Sequence, residues 1–206
     1  MNNYKDFKTY SNTLFNALKS VEEKSIDLIK KEILKRIDGQ GEIYIVGNGG
    51  SAANSHHIVG DYMKTFAILG KKLKLNSLSD NNCFITAASN DLDFSEVYEI
   101  LIDSRIQSED FLIFLSGSGN SINLVKAARA AFKYKIKTAA VTSYGGGALK
   151  NIVDIPIHFK VNDMEIAEDC QLAFFHYIKQ LIHKEISRED LDSSKYDKRI
   201  IEDLIA

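Results

Sequence analysis

Two short segments rich in glycine, serine and asparagine have the composition of anion-binding loops. Residues 47–51 (GNGGS) and residues 116–121 (SGSGNS) each lie between an apolar run and a helical pattern. Glycine lets backbone N–H groups approach a ligand closely, and the helix that follows presents its positive end. Neither segment contains Lys or Arg. We therefore predict that both segments bind a phosphomonoester through hydroxyls and backbone amides.

Competing interpretations of these loops are less consistent with the sequence. A single glycine-rich segment can be no more than a tight turn, whereas two such segments with several hydroxyls favour anion binding. Gly47, Gly49 and Ala52 loosely match the dinucleotide pattern G-x-G-x-x-G/A, but Ala67 and its neighbours replace the acid expected about 20 residues later. The P-loop pattern is absent from the sequence. We therefore expect neither an NAD site nor a P-loop nucleotide site.

A histidine and a carboxylate follow the first loop. His57 and Asp61 are four residues apart, so one helical face would bring them close enough to share a metal ion or a proton. A His–Asp pair at this spacing is more often a surface pair. Its position within two or three turns of the predicted phosphate loop favours a site, because the reactive end of a bound substrate would project there.

A second pair lies on the long helix predicted near the C-terminus. Glu168 precedes His176 by eight residues, about two turns, so the two side chains can share a face. Taken alone, this pair favours a structural or solvated role, and we expect His183, further along the helix, to be solvated. Asn90 and Asp91 are equally compatible with the end of a helix and with a contact to a sugar hydroxyl.

The elements that must position these residues repeat a pattern of strand, polar loop and helix. Apolar runs at residues 43–46, 111–115 and 138–141 each end at a small polar loop before a helical segment. Weaker strands are predicted at residues 73–78 and 155–161. The repeat predicts a parallel sheet with right-handed crossovers and with strands buried on both faces. Ligands bind such sheets at the carboxyl ends of the strands, where the glycine-rich loops fall.

Helices are predicted at both ends of this unit. Residues 4–37 have apolar positions at helical spacing among many charges, which indicates one or two amphipathic helices. Residues 164–186 form a long helical pattern, and the charged segment that follows it also has helical periodicity. Tyr144 and the three glycines after it indicate a turn.

The composition limits the class of protein. The 206 residues carry a formal net charge of −2, which removes the broad basic surface that non-specific nucleic-acid binding needs. Apolar runs such as residues 111–115 are far shorter than the ~18 residues of a membrane span. The N-terminus lacks the pattern of a secretory signal, and Cys83 and Cys170 form no disulfide framework or metal motif. We expect a cytoplasmic protein with inert cysteines that binds neither nucleic acid nor membrane.

The combination of motifs resembles the sugar isomerase (SIS) domain and, more narrowly, the phosphoheptose isomerase family, also called sedoheptulose 7-phosphate isomerase. The resemblance is carried by residues 47–51 with His57 six positions after the serine, by residues 89–91 (SND) and by residues 116–121. It implies an α/β fold of the flavodoxin-like type. The expected architecture is a three-layer α/β/α sandwich with a five-stranded parallel sheet, preceded by an N-terminal helical hairpin.

The resemblance also implies a domain organisation, an assembly and an activity. N-terminal helices at residues 1–38 would pack in the oligomer, a SIS domain would occupy residues 39–187, and residues 188–206 would form a charged, helical extension. The assembly would be a homotetramer with active sites at subunit boundaries. The activity would be interconversion of D-sedoheptulose 7-phosphate and D-glycero-D-manno-heptose 7-phosphate, which supplies heptose for bacterial lipopolysaccharide or capsule.

Carried over by position, the resemblance assigns roles to individual residues. Asp61 and His176 fall on acid-base positions, and Zn²⁺ or another divalent ion would be held by His57, Asp61, Glu168 and His176. Contacts to the sugar phosphate are expected from Asn48, Gly49, Gly50, Ser51, Asn90, Asp91, Ser116, Gly117, Ser118, Ser121 and Glu168. The three serines of the second loop would hold the phosphate.

Three residues depart from the family pattern. Asp61 stands where the family has a glutamate, Glu168 where it has a glutamine, and Gly117 where it often has a threonine. Aspartate is one methylene shorter, and misplacing a base by about 1 Å costs about 10²-fold in rate. The leading interpretation is a metal-assisted aldose-ketose isomerase that works through an enediol. The alternatives are a non-catalytic SIS protein that binds a sugar phosphate or a protein partner, and an isomerase of a related ketose phosphate.

Overall fold

The computed structural model describes residues 4–188, so nearly all of the predicted charged extension, residues 189–206, lies outside the described residues. Helices and strands alternate along this range. In chain order they are α1 (Phe7–Leu18), α2 (Glu23–Leu34), β1 (Ile43–Gly47), α3 (Gly49–Ile68), β2 (Leu75–Ser77), α4 (Asn82–Asp91), α5 (Val97–Arg105), β3 (Phe111–Ser116), α6 (Ile122–Lys133), β4 (Lys137–Thr142), α7 (Leu149–Ile152), β5 (Ile155–His158) and α8 (Met164–Ser187).

The five strands form one parallel sheet in the order β2-β1-β3-β4-β5. Ile43 of β1 lies opposite Leu75 of β2 on one side and Phe111 of β3 on the other. Ala139 of β4 lies opposite Ile155 of β5. The prediction of a flavodoxin-like α/β/α sandwich with a five-stranded parallel sheet is therefore confirmed, and so are the helices that precede it.

Alternate residues of each central strand enter two separate hydrophobic cores. In β1, Ile43 and Ile45 join one core, whereas Tyr44 and Val46 join the other. All residues of β1 and β3 are buried. This burial explains why the strands appear in the sequence as continuous apolar runs, since neither face of the sheet contacts water.

Each core is covered by its own layer of helices. Helices α1, α2, α3 and α8 cover one face of the sheet, where α2 buries Ile26, Ile29 and Ile33. Helices α4, α5, α6 and α7 cover the other face. None of the helices within residues 4–188 is both long enough and apolar enough to cross a membrane.

Helices α3 and α8 lie side by side and run parallel. Each begins at the carboxyl edge of the sheet, because α3 follows β1 and α8 follows β5. Residues later in α3 contact residues later in α8. Asn54 Nδ2 donates to the Glu168 carbonyl oxygen at 3.0 Å, and about two turns later Tyr62 OH donates to the Phe175 carbonyl oxygen at 2.7 Å. Side chains from successive turns of both helices therefore meet along the line of contact between α3 and α8, which we call the groove.

The N-terminal helices pack on this chain's own core and also expose large apolar side chains. Ser25 donates to the Pro156 carbonyl oxygen at 2.9 Å, and Tyr4 donates to the Asp163 carboxylate at 3.0 Å. On α1, Phe7 is 81% exposed and Phe15 is 55% exposed. The packing of residues 1–38 in an oligomer stays a prediction.

Replacing Phe114 by Ala tests the burial of the sheet face that α4, α5, α6 and α7 cover. Phe114 lies in the centre of β3 with no exposed surface, so Phe114→Ala should lower the free energy of unfolding by about 3–5 kcal/mol. Phe132→Ala is the matched control, because Phe132 is 76% exposed and its removal should change stability by less than about 0.5 kcal/mol. Urea unfolding measures both, and equal losses would contradict the placement of β3.

Candidate active site

The strand order creates a crevice between the first two glycine-rich loops. Strands β1 and β3 are neighbours, but β1 leads into α3 on one face of the sheet and β3 leads into α6 on the other. The chain therefore leaves these two strands in opposite directions. Crevices of this kind are where open α/β sheets bind ligands.

A cleft of about 280 Å³ lies at this position and contains most of the predicted substrate-binding residues. From the first loop it is lined by Asn48, Gly49, Gly50 and Ser51, from the second by Ser116, Gly117, Ser118 and Ser121, and from α8 by Met164 and Glu168. No Lys or Arg belongs to the lining within the described part of the chain. Any anion bound here would be held by hydroxyls and backbone amides.

The second loop is ordered by its own serines and by its neighbour in the chain. Ser116 Oγ accepts a hydrogen bond from the Gly119 N–H at 3.1 Å, and Ser118 Oγ accepts one from the Asn120 N–H at 3.2 Å. Ser121 directly precedes α6, yet among the described residues its hydroxyl caps no backbone N–H of that helix. This hydroxyl can therefore serve a ligand.

The turn predicted after Tyr144 supports the second loop. The Ser143 N–H donates to the Gly117 carbonyl oxygen at 2.8 Å, and the Leu149 N–H donates to the Gly119 carbonyl oxygen at 3.1 Å. Asn120 Oδ1 accepts from the Ala148 N–H at 3.0 Å. The three glycines that follow Tyr144 thus belong to a turn that holds the predicted phosphate loop in place.

A pair of asparagine side chains joins the first loop to α6. Asn48 and Asn123 exchange two amide hydrogen bonds, at 2.9 Å and 3.0 Å. Asn123 has little exposed surface, so its amide needs this partner. Asn123 was not recognised from the sequence, where the feature that could have indicated it is an asparagine two residues after the loop, among the apolar positions of α6.

Two glycines leave room for side chains of α8. A Cβ atom on Gly50 would lie 2.1 Å from Glu168 Oε2, and one on Gly117 would lie 2.5 Å from Met164 Sδ. The absence of a side chain at Gly117 therefore leaves the space that Met164 fills. Burial raises the pKa of Glu168, as do the nearby charges of Glu165 and Asp169.

Three of the four predicted metal-binding residues converge at the far end of the groove. His57 Nε2 lies 2.9 Å from His176 Nε2, and His176 Nε2 lies 3.9 Å from Asp61 Oδ2. Within residues 4–188, the group that could hold a metal ion consists of His57, Asp61 and His176. Glu168 is not part of this group, because it lies about 12 Å earlier along the axis of α8, at the level of the cleft.

Two lysines approach the Asp61 carboxylate. Lys179 Nζ donates to Asp61 Oδ2, and Lys64 Nζ lies 3.7 Å from Asp61 Oδ1. Burial opposes ionisation of Asp61, but the hydrogen bond and charge of Lys179 outweigh it and lower the pKa of this carboxyl. Burial lowers the pKa of His176, although Asp61 acts in the opposite direction. The expected state at neutral pH is an Asp61 carboxylate beside a neutral His176 imidazole.

The donor chemistry of the cluster fits a divalent ion. Two imidazole nitrogens and a carboxylate oxygen are ligands that Zn²⁺ accepts, and other divalent ions share this preference. The two Nε2 atoms, 2.9 Å apart, would separate slightly, since nitrogen ligands of tetrahedral zinc lie about 3.3 Å apart. Asp61 Oδ2 is already bound by Lys179.

Other predicted residues lie away from this groove or behave differently. Asn90 and Asp91 are exposed at the end of α4, where Asn90 Nδ2 donates to Asp91 Oδ1 at 2.8 Å, and neither lines the cleft. Their contact with substrate stays a prediction.

The expectation that His183 is solvated is wrong: His183 is buried, and its Nδ1 lies 3.3 Å from Ser187 Oγ. The other helices on this face of the sheet cover the C-terminal part of α8, although its charged residues had suggested that this part contacts solvent.

A buried polar network between α3 and α8 was not recognised in the sequence. Gln171 Nε2 donates to Ser51 Oγ at 3.0 Å, and Asn54 Nδ2 donates to Gln171 Oε1 at 2.9 Å. The feature of the sequence that could have indicated this network is a set of polar residues at helical spacing among apolar ones. Ser51 and Asn54, for example, are three residues apart on α3. The network links the cleft to the register of the two helices.

Comparison with known proteins decides the family. A model of the SIS domain matches residues 6–143. A phosphoheptose isomerase of Trichlorobacter lovleyi is 32% identical over 143 residues, which are 69% of this chain and 73% of that protein. The chain belongs to the SIS-domain phosphoheptose isomerase family.

Further members of this family match over most of their length. The phosphoheptose isomerase of Helicobacter pylori strain P12 is 28% identical over 189 residues, covering 90% of this chain and 96% of that protein. The solved structure of a phosphoheptose isomerase from Francisella tularensis superposes with a TM-score of 0.79 at 21% identity, covering 86% of this chain and 94% of that one, and confirms the fold. By family, the protein is a sugar-phosphate isomerase.

Replacing Gln171 tests the network that aligns the two helices. Gln171→Leu leaves Ser51 Oγ and one Asn54 N–H without their buried partner, so the free energy of unfolding should fall by about 1–3 kcal/mol. Gln180→Leu is the matched control, because Gln180 is exposed on the same helix and should change stability by less than about 0.5 kcal/mol. Thermal or urea unfolding distinguishes them, and a neutral Gln171→Leu would show that the network does not fix the register.

Proposed function

We propose that the protein interconverts D-sedoheptulose 7-phosphate and D-glycero-D-manno-heptose 7-phosphate. The observation that supports this most is that α3 and α8 carry both parts of the site. The hydroxyl-lined cleft lies at their N-terminal ends, and the cluster of His57, Asp61 and His176 lies about two turns later. His57 lies about 12 Å along the axis of α3 from Gly49. An extended sugar phosphate can therefore bind both parts at once.

The phosphate would be held by the second loop. Ser116, Ser118 and Ser121 line the cleft, and Ser121 stands at the positive end of α6. Hydroxyl and amide donors hold a dianion without a lysine or arginine. Asn48, Gly49, Gly50 and Ser51 would contact the sugar chain, together with Glu168.

Aldose-ketose isomerisation moves a proton between adjacent carbons and needs a base and an acid near them. Asp61 is kept ionised by Lys179, so it can accept the proton from the carbon next to the carbonyl and leave an enediolate, which becomes an enediol when its oxygen takes up a proton. His176 would return or relay the proton, and its contact with His57 would fix the orientation of its ring. Solvent reaches His176, whose side chain is 43% exposed.

A divalent ion, Zn²⁺ first, is the cofactor that we propose for this site. His57, Asp61 and His176 would hold it, whereas Glu168 lies outside this group and would contact the sugar phosphate instead. When bound, the ion supplies positive charge that polarises the substrate carbonyl.

We also propose that the protein acts as a cytoplasmic homotetramer with sites at subunit boundaries and contributes heptose to lipopolysaccharide or capsule. The exposed phenylalanines of α1 support association through the N-terminal helices, since large apolar patches mark interaction surfaces. The side of the cluster at His57 is open to solvent in one chain, which leaves room for a neighbouring subunit.

Turnover of sedoheptulose 7-phosphate tests the proposed reaction. Asp61→Ala and His176→Ala should each lower kcat by about 10²–10⁴-fold while binding persists, because each removes a proton-transfer group. His56→Ala is the control, since His56 is exposed next to His57 and lies outside the cluster, and it should keep full activity.

Each other outcome identifies a different function. If the wild-type protein binds the sugar phosphate but converts no phosphorylated ketose, the non-catalytic alternative holds. If it converts a different ketose phosphate in a substrate screen, the isomerase assignment holds and the named substrate is wrong.

Removing a serine hydroxyl tests the phosphate loop. Ser121→Ala should raise KM about 10- to 100-fold with little effect on kcat, because hydrogen bonds to a charged group contribute about 1.5–3 kcal/mol. Ser104→Ala, on the exposed side of α5, is the control and should leave KM unchanged. An unchanged KM in Ser121→Ala would place the phosphate elsewhere.

A further inference from the structure

Lys179 lies where a cation bound by Asp61 would lie. It follows His176 by three residues on α8, so both side chains share one face of the helix. Its Nζ donates to Asp61 Oδ2, and the side chains of Lys179 and Asp61 are each only 14% exposed. The structure therefore contains an internal ion pair at the edge of the predicted metal site.

The carboxylate oxygen that Lys179 binds is the one nearer His176. Asp61 Oδ2 lies 3.9 Å from His176 Nε2, whereas Lys64 approaches the other oxygen, Oδ1, at 3.7 Å. Oδ2 is therefore the Asp61 oxygen best placed to be the third ligand of an ion bound to both histidines. Lys179 and the ion would therefore compete for the same atom, and Lys64 would not.

The charge of the cluster also favours competition between Lys179 and a divalent ion. Asp61 supplies the negative charge of the three-residue group, and both histidines are neutral as metal ligands. Lys179 already balances that charge. A divalent ion and an ammonium group a few ångströms apart repel each other strongly where the surroundings are largely protein rather than water.

We propose that Lys179 is a positioning residue that competes with divalent cations for Asp61 and so makes metal binding at this site weak and reversible. The proposal rests on the metal site of the proposed function. It adds a residue outside the predicted ligand set, and it assigns to Lys179 the task of holding Asp61 in place when no ion is bound.

Zn²⁺ affinity, measured with the metal alone by competition with a chromophoric chelator, tests this proposal. Lys179→Met should bind Zn²⁺ about 10- to 100-fold more tightly than the wild-type protein, the range by which partners of metal ligands change affinity. Lys179→Gln, which removes the charge but keeps a donor for Asp61, should also bind more tightly. Lys179→Arg and Lys64→Met should match the wild type, because both keep a cation on Oδ2.

A double variant tests whether the gain in Zn²⁺ affinity depends on the Asp61 carboxylate. Asp61→Asn combined with Lys179→Met should lose the gain in affinity, because the oxygen that Lys179 released is no longer a carboxylate. Far-UV circular dichroism checks that each variant is folded, and Lys179→Gln keeps the test valid if Lys179→Met unfolds.

Equal Zn²⁺ affinities of the wild type and both neutral variants would overturn the proposal, and so would the absence of Zn²⁺ binding in all of them. The assay contains no sugar, so its result is separate from turnover. A protein that shows the predicted gain but converts no sedoheptulose 7-phosphate would refute the proposed reaction and leave the role of Lys179 supported.

Discussion

The parallel packing of α3 against α8 is the constraint on which the site depends. Ser51, Asn54 and Gln171 form a buried hydrogen-bonded chain between the two helices. Buried amides and hydroxyls must be paired, so few alignments of the helices satisfy all three residues. A shift of one residue would rotate a helix by about 100° and turn its functional side chains away from the groove.

This alignment explains how one pair of helices serves two chemically different ends. At the carboxyl edge of the sheet, the first turns of α3 and α8 bring Gly50 against Glu168 beside the serine loop. Two to three turns later, the same faces bring His57 against His176. The serine loop and the cluster of His57, Asp61 and His176 are therefore separated along the helix axes by a distance that the helical rise fixes.

The charges of the groove are arranged unevenly. The loop end contains hydroxyls, amides and the Glu168 carboxyl, and the positive charge is concentrated at the opposite end, on Lys64 and Lys179 beside Asp61. Burial alone would raise the pKa of the Asp61 carboxyl, and Lys179 reverses that effect. The carboxylate thus remains available as a base or a ligand at neutral pH.

The sequence was sufficient to predict the fold and the loops, because these depend on local patterns. Continuous apolar runs indicated strands buried on both sides, and the polar loop after each run indicated the carboxyl edge. The pairing of His57 with Asp61 followed from helical spacing. In contrast, the contact of His57 with His176 depends on which helices the sheet places side by side, which local spacing does not contain.

Residues missed or misjudged in the sequence share this dependence on neighbouring helices. Gln171 and Lys179 act only through contacts with α3, and His183 is buried because α8 is enclosed by the helices of its layer. Glu168 shares a face of α8 with His176, but the two side chains act at different levels of the groove. Helical periodicity predicts the face of the helix on which a residue lies, but it does not predict which residue of a neighbouring helix that side chain contacts.

A crystal structure of the protein with sedoheptulose 7-phosphate would locate both ends of the bound substrate. We expect the phosphate within hydrogen-bond distance of the hydroxyls of Ser116, Ser118 and Ser121, with the carbonyl end of the sugar beside Asp61 and His176. A phosphate bound away from these serines, or a carbonyl end directed away from the cluster into solvent, would contradict this expectation.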